Sequence, residues 1–268
     1  MRFPSSRLLV LAILVPLLTW AALGMPASDA GAQNPLEPDA RFAGLQWTFA
    51  RVRYQAFRIP GFAGCDTYDE CWTIDYPAAE QNLSRRVRTV TSIQVNDPVV
   101  VDIEDPDLWL YPWLYIVEPG TMRLGDNEVS ILREFLLRGG TLTFDDFHGP
   151  VEWANLEREL RRIFPDRKVV DLSPEHPIFH CFYRIEEFPQ TPGLGSFLQG
   201  RTWEKGGYVA RLRAIEDDSG RAMVLINWNT DMGDGWEWSN AADYPGYVRY
   251  TAMAYRMQIN EIVYSLTH

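Results

Sequence analysis

Two short apolar runs, WLYIV at 113–117 and TLTF at 141–144, flank one well-punctuated helix signal. No other feature narrows the choice of fold as much. A strand that is apolar at every position must be covered on both faces, which is the habit of parallel sheets held between helix layers. Between the runs, Gly125 stands at an N-cap with Glu128 three residues on, and Leu124 and Val129 are placed to staple the first turn. Leu132, Phe135 and Leu136 share one helical face, Arg138 suits the negative end of the dipole, and Gly139 suits the left-handed turn beyond it. A strand–helix–strand unit of this kind joins parallel neighbours by a right-handed crossover.

The alternation extends in both directions. Residues 45–54 are rich in aromatic and β-branched side chains and read as a strand; a long loop follows at 55–77. Pro77 suits the first turn of a helix carrying Leu83, Val87 and Val90, and SIQV and VVVDI are short strands. Residues 151–164 read as a helix with Trp153, Leu156, Leu160 and Ile163 inward, stopped by Pro165, before the strand KVVDL. A mostly parallel α/β sheet with helices on both faces is therefore expected. Beyond it, 207–228 reads as a hairpin turning at 217–220, and 246–267 as a helix with Tyr250, Ala254, Met257 and Val263 on one stripe.

Arg2 and Arg7 precede an apolar run at 8–23 and small residues ending at Ala32, the order of a secretory signal. The run falls short of the roughly 20 residues that span a bilayer and contains Pro16, so membrane attachment is expected only if the segment stays uncleaved. The organisation expected is a signal over 1–32, an extended lead-in over 33–41, and a single domain over 42–268, exported to the periplasm or another extracytoplasmic space. The net charge of −11 becomes −12 once Arg2, Arg7 and Asp29 are lost, which disfavours nucleic acid as a partner. In an oxidising compartment two of Cys65, Cys71 and Cys181 should pair, and three pairings exist. Cys65 and Cys71 bracket only DTYDE, the cheapest closure, which leaves Cys181 as a free, buried thiol. No CxxC spacing supports a thiolate metal site.

Ligands of open α/β sheets lie at the carboxyl ends of the strands. The loops expected there carry Asp75, Glu118, Asp145, Asp146, His148 and His176, with GGTLTFDDFHGP at 139–150 supplying three of them. Carboxylates mixed with imidazoles suit a divalent metal or an acid and base of separated pKa, so Asp145, Asp146, His148 and His176 are the catalytic candidates. Each has a plainer alternative: Asp146 as a cap or turn residue, Asp75 the same ahead of Pro77, His176 as a brace for the turn before Pro177. In NWNTDMGDGWEW at 227–238, Asn227, Asn229 and Asp231 alternate like EF-hand ligands, but Met232 and Trp238 stand where that loop needs Gly and Glu. The loop remains a ligand-binding candidate through Asp231 and Trp236, with Trp228, Trp238 and Tyr244 as further rings able to stack on a sugar; packing is the competing role. Arg51 and Arg53 share one strand face and either meet the acids or face solvent. No nucleophile elbow, G-x-G-x-x-G or Walker pattern is present, so no cofactor is indicated apart from a divalent metal.

Taken together, the segments 47–54, W-x-x-D-Y-P at 72–77, YPWLYIVEPG at 111–120, LRGGTLTFDDFHG at 137–149, SPEHPIF and INEIVYSLTH resemble a bacterial family of unknown function, DUF four-one-five-nine. The resemblance implies a flavodoxin-like sheet, similar to class I glutamine-amidotransferase-like and ThuA-like domains, whose own GG-strand-H and HPI segments line one cleft. It also implies envelope partners, since such proteins are often encoded near MoxR-type ATPases and von Willebrand A-domain proteins. Asp145 and Asp146 stand where amidotransferases need cysteine, and a carboxylate cannot form the same thioester. The expected function is thus an exported domain without that nucleophile, binding a small polar ligand, a saccharide among the candidates, or an envelope partner protein. The alternative is a metal-assisted hydrolase using the Asp/His cluster.

Overall fold

Strands apolar throughout do take the centre of a sheet. A computed structural model describes residues 46–59, 65, 70–240, 242 and 244–268; the signal segment 1–32 and the lead-in 33–41 lie outside the described residues. The central sheet has seven strands: β1 (Ala50–Arg53), β2 (Val99–Asp102), β3 (Trp113–Val117), β4 (Thr141–Phe147), β5 (Val170–Asp171), β6 (Arg211–Glu216) and β7 (Ala222–Trp228). Their order is β2-β1-β3-β4-β7-β6-β5, and only β6 runs against the others. Every side chain of β3 and β4 is buried, with Trp113 opposite Thr141 and Val117 opposite Asp145.

Helices α1 (Ala78–Val90), α2 (Asp126–Leu137), α3 (Gly149–Ile163), α4 (Leu194–Leu198), α5 (Met232–Glu237) and α6 (Val248–Thr267) complete the fold. The two-residue periodicity of β3 divides the core. Leu114 and Ile116 join Leu132, Leu136, Leu156 and Leu160 of α2 and α3 on one face. Trp113, Tyr115 and Val117 join Leu83, Val87, Trp236 and Met257 of α1, α5 and α6 on the other. The chain is thus mixed α/β with a mostly parallel sheet covered on both faces. Phe42–His268 clusters as one compact unit.

The α2 signals act as the sequence implies: Gly125 N donates to Glu128 Oε2 at 2.6 Å, and Gly139 takes a φ of 105°. The hairpin forms between β6 and β7 around Asp217, whose Oδ1 accepts from Ser219 N and Arg221 N. Three readings are corrected. The 45–54 strand is two pieces, since Gln46–Trp47 pairs with Gln94–Val95 outside the central sheet. α3 starts at Gly149, with Pro150 in the first turn where its missing N–H costs nothing. Trp153 is inward only in part: half-buried, it packs against the core beside Phe147 and against Trp228, and the two tryptophan rings hold the Arg213 guanidinium at 4.2 and 4.0 Å.

Cys65 and Cys71 form the disulfide, with Cα atoms 5.6 Å apart. Cys181 is free and half-buried rather than buried, and its burial pushes the thiol up to about 11. Among the described residues, no helix is long and apolar enough to cross a membrane.

Candidate functional site

Four chain segments converge at the carboxyl ends of β1, β3, β4 and β7. Asp145 is the last β4 residue in register with β3. Its Oδ2 accepts from Tyr115 Oη at 3.0 Å, Met232 N at 3.1 Å and Gly233 N at 3.0 Å, which seats α5 on the strand end. Asp231 caps α5 by accepting from Asp234 N at 2.8 Å. Asp75 arrives from the segment after the disulfide and lies so close to α5 that a Cβ on Gly233 would stand 2.1 Å from its Oδ2. Gly193 is equally required: a Cβ there would stand 2.7 Å from Glu204 Oε1 and 2.9 Å from Asp231 Oδ2.

Among the described residues, two groups of three carboxylates bring ligand atoms within 4.8 Å of one another. One is Asp75, Asp146 and Asp231; the other is Asp75, Asp234 and Glu237. Asp146 is 6% exposed and Asp231 4%. The backbone is strained around them. Asp75, Glu118, Asp146, Lys205 and Asn229 are the non-glycine residues with positive φ among the described residues, at 46–65°. All five belong to this edge, and such conformations persist only where surrounding structure imposes them.

Burial, reinforced by neighbouring carboxylates, pushes Asp75, Asp146, Asp231 and Glu118 well above the usual carboxylate range. Asp145 rises to about 7, again through burial, with its Gly233 and Tyr115 donors pulling the other way. Glu237 rises to about 7 through burial and the charge of Asp234. One lysine answers these acids. Lys205 Nζ stands 2.7 Å from Glu152 Oε1 and 3.6 Å from Glu118 Oε2; burial opposes its charge, but Glu118, Glu152 and Asp146 raise its pKa. His148, 1% exposed, places Nε2 3.3 Å from Asp146 Oδ1 and leaves Nδ1 without a hydrogen-bond partner among the described residues. Burial lowers its pKa, which favours the neutral ring. Asp145 Oδ1 is likewise buried and unpartnered.

The structure therefore brings Asp75, Glu118, Asp145, Asp146, His148 and Asp231 to one edge. The capping alternative fails for Asp146 and Asp75: His148 and Pro77 hold the N-cap positions of α3 and α1, and neither helix has a side-chain cap. Two candidates fall away. His176 Nδ1 accepts from Ile178 N at 3.3 Å, and its ring lies on Tyr264, whose hydroxyl accepts from Ala222 N at the amino end of β7. The chain after β5 turns back under the sheet, so His176 braces the opposite edge. Trp236 is fully buried between Phe49 and Tyr115, with no face left for a ligand. Arg51 is buried against Glu80, while Arg53 pairs with Asp102 in solvent. Glu152, Glu204, Lys205, Asp234 and Glu237 escaped the sequence reading. Only the strained W-E-K-G-G turn and the acids inside DMGDGWEW hinted at them.

The model of the family described as domain of unknown function (DUF4159) matches residues 48–266. No curated protein matches the chain.

Proposed function

The chain belongs to the DUF4159 family, and we propose that it is a binding domain that holds a small polar ligand through a hard divalent cation. Asp75, Asp146 and Asp231 are the ligands, and the observation that carries the reading is their convergence within 4.8 Å at a buried strand edge. Two buried carboxylates and a half-buried third repel one another at about several kcal/mol unless protonated or met by positive charge. Lys205 is already committed to Glu118 and Glu152. An all-oxygen set selects calcium, magnesium or manganese over thiophilic metals. His148, in contact with Asp146 and with no other side-chain partner, suits a group that orients one ligand carboxylate.

The order of the five central parallel strands, β2-β1-β3-β4-β7, supports the finer flavodoxin-like and amidotransferase-like assignment, with the ligand edge beside its switch point. Export to the periplasm and contact with an envelope partner belong to the same proposal, and the apolar segment at 8–23 supports the first. A second reading, cation-assisted hydrolysis, is favoured by the Asp146–His148 contact at 3.3 Å, a carboxylate–imidazole pair beside the ion.

Calorimetric and thermal titration of chelator-stripped protein with calcium, magnesium and manganese chlorides tests the reading. One of the three is expected to bind and, at a hundredfold excess over its Kd, to stabilise the fold by about 2.7 kcal/mol. Asp146→Asn and Asp231→Asn should each abolish the effect. No heat and no thermal shift with any of the three ions would overturn it.

A further inference from the structure

The loop from Trp203 to Val209 places aromatic surface at the rim of the acidic edge. Its middle is pinned into that edge. Glu204 lies against Gly193 beside Asp231, Lys205 pairs with Glu152, and Gly207 O accepts from Gln190 Nε2 at 3.0 Å. Asn229, itself strained, donates from Nδ2 to Val209 O at 2.7 Å. The two ends of this turn carry rings that pack against each other at a tilt of 56°, Trp203 and Tyr208, with centroids 4.6 Å apart. Tyr208 is nonetheless 64% exposed and Val209 58%. A ring held by a rigid loop and left in solvent loses little conformational freedom when a ligand covers it.

We infer that Tyr208, backed by Trp203, is the ring platform for a neutral saccharide whose hydroxyls complete the coordination of the cation at Asp75, Asp146 and Asp231. The inference rests on the cation reading above. Three carboxylates do not fill the six to eight oxygen positions that calcium takes, so ligand oxygens have places to occupy. Charge decides the ligand class. With one divalent ion bound, the acids of this edge still outnumber its cations, because Glu118, Asp145, Glu204 and Asp234 surround the three ligands. That field repels phosphate and carboxylate ligands, whereas a cationic ligand competes with the ion instead of joining it. A pyranoside brings paired hydroxyls without charge, and its C–H face is apolar enough to lie on an aromatic ring. Trp236, one of four rings that sequence alone suggested for stacking, is buried; the platform stands on a different loop.

The test has two separable arms on the full chain, stripped with EDTA. Calcium chloride alone is titrated first, and absence of binding there overturns this inference, while the cation reading falls only if magnesium and manganese chlorides fail as well. Methyl α-mannoside, methyl β-galactoside and N-acetylglucosamine are then titrated in calcium and in EDTA, following heat and tryptophan fluorescence. At least one is expected to bind in calcium and to lose binding in EDTA. Tyr208→Ala should weaken it about tenfold, while Phe182→Ala, an exposed ring packed on Tyr183, should not. Calcium binding without any glycoside binding, an unchanged affinity in Tyr208→Ala, or preferential binding of inorganic phosphate or tetramethylammonium would overturn the saccharide assignment and leave the cation site standing.

Discussion

Two buried charged groups lie within one short reach of the sheet, and they are treated in opposite ways. Arg51, on β1, is fully buried and paired with Glu80 of α1. Its Nη1 donates to Trp72 O at 2.9 Å and Ile74 O at 3.0 Å, and its guanidinium lies 5.2 Å from the Tyr115 ring centroid. Asp75, one residue beyond Ile74, joins Asp146 and Asp231 and has no ion-pair partner among the described residues. Arg51 does lower the Asp75 pKa, but Asp234 and Asp146 act on it more strongly in the other direction. The chain can bury a charge with its partner when the fold needs one. At the carboxyl edge it buries like charges together, which costs stability and makes sense for a partner that comes from outside.

Glu80→Ala leaves Arg51 buried without a counter-charge and should cost about 3–5 kcal/mol in urea unfolding. The acidic half should show itself in pH dependence. Asp145 titrates near 7 in the fold against about 3.9 in an unfolded chain, so between those values the native state holds more protons than the unfolded one. Stability of the cation-free protein should therefore fall as pH rises from 4 to about 7. At about 1.4 kcal/mol per unit, the loss from Asp145 alone is on the order of 4 kcal/mol, and added calcium should flatten the curve. Stability that rises with pH over this window would remove the contrast between the two groups.

Smaller effects sharpen it. The Cys65–Cys71 bond closes a short loop just ahead of the carbonyls that hold Arg51 and of Asp75 itself. Replacing both cysteines with serine should cost about 2 kcal/mol and lower cation affinity along with stability, measured by unfolding and calorimetry on the same sample. Asp146→Asn, by contrast, removes one of the mutually repelling charges. At pH 8 and without cation it should stabilise the fold by about 1 kcal/mol or more, the opposite sign to Glu80→Ala.

Much of the scaffold was legible because its signals are local. Leu132, Phe135 and Leu136 repeat within two turns, Gly125 and Glu128 cap within four residues, and WLYIV declares burial on both faces within five. Half of the candidate site was legible for a related reason: Glu118, Asp145, Asp146, His148 and Asp231 lie in or within three residues of the carboxyl ends of strands, and strand ends of a parallel sheet share one edge. His176 follows a strand end too, but β5 has only two residues and lies at the sheet border. Nothing holds the following segment at the ligand edge, and it folds back to Tyr264. Glu204 and Lys205 were missed because they lie in a long irregular stretch with no periodicity to locate it.

The layers, the parallel pairing at the centre, the helix ends and the strand-end acids can be read from the chain alone, since each follows from contacts a few residues apart along it. Which acids meet is a matter of long-range packing. Asp75, Asp146 and Asp231 are separated by scores of residues, and their approach depends on close packing at Gly193 and Gly233 and on left-handed backbone at Asp75 and Asp146. The same holds for the rings: Trp236 is buried and Tyr208 exposed because packing between α5 and the sheet, not residue type, settles which aromatic meets water.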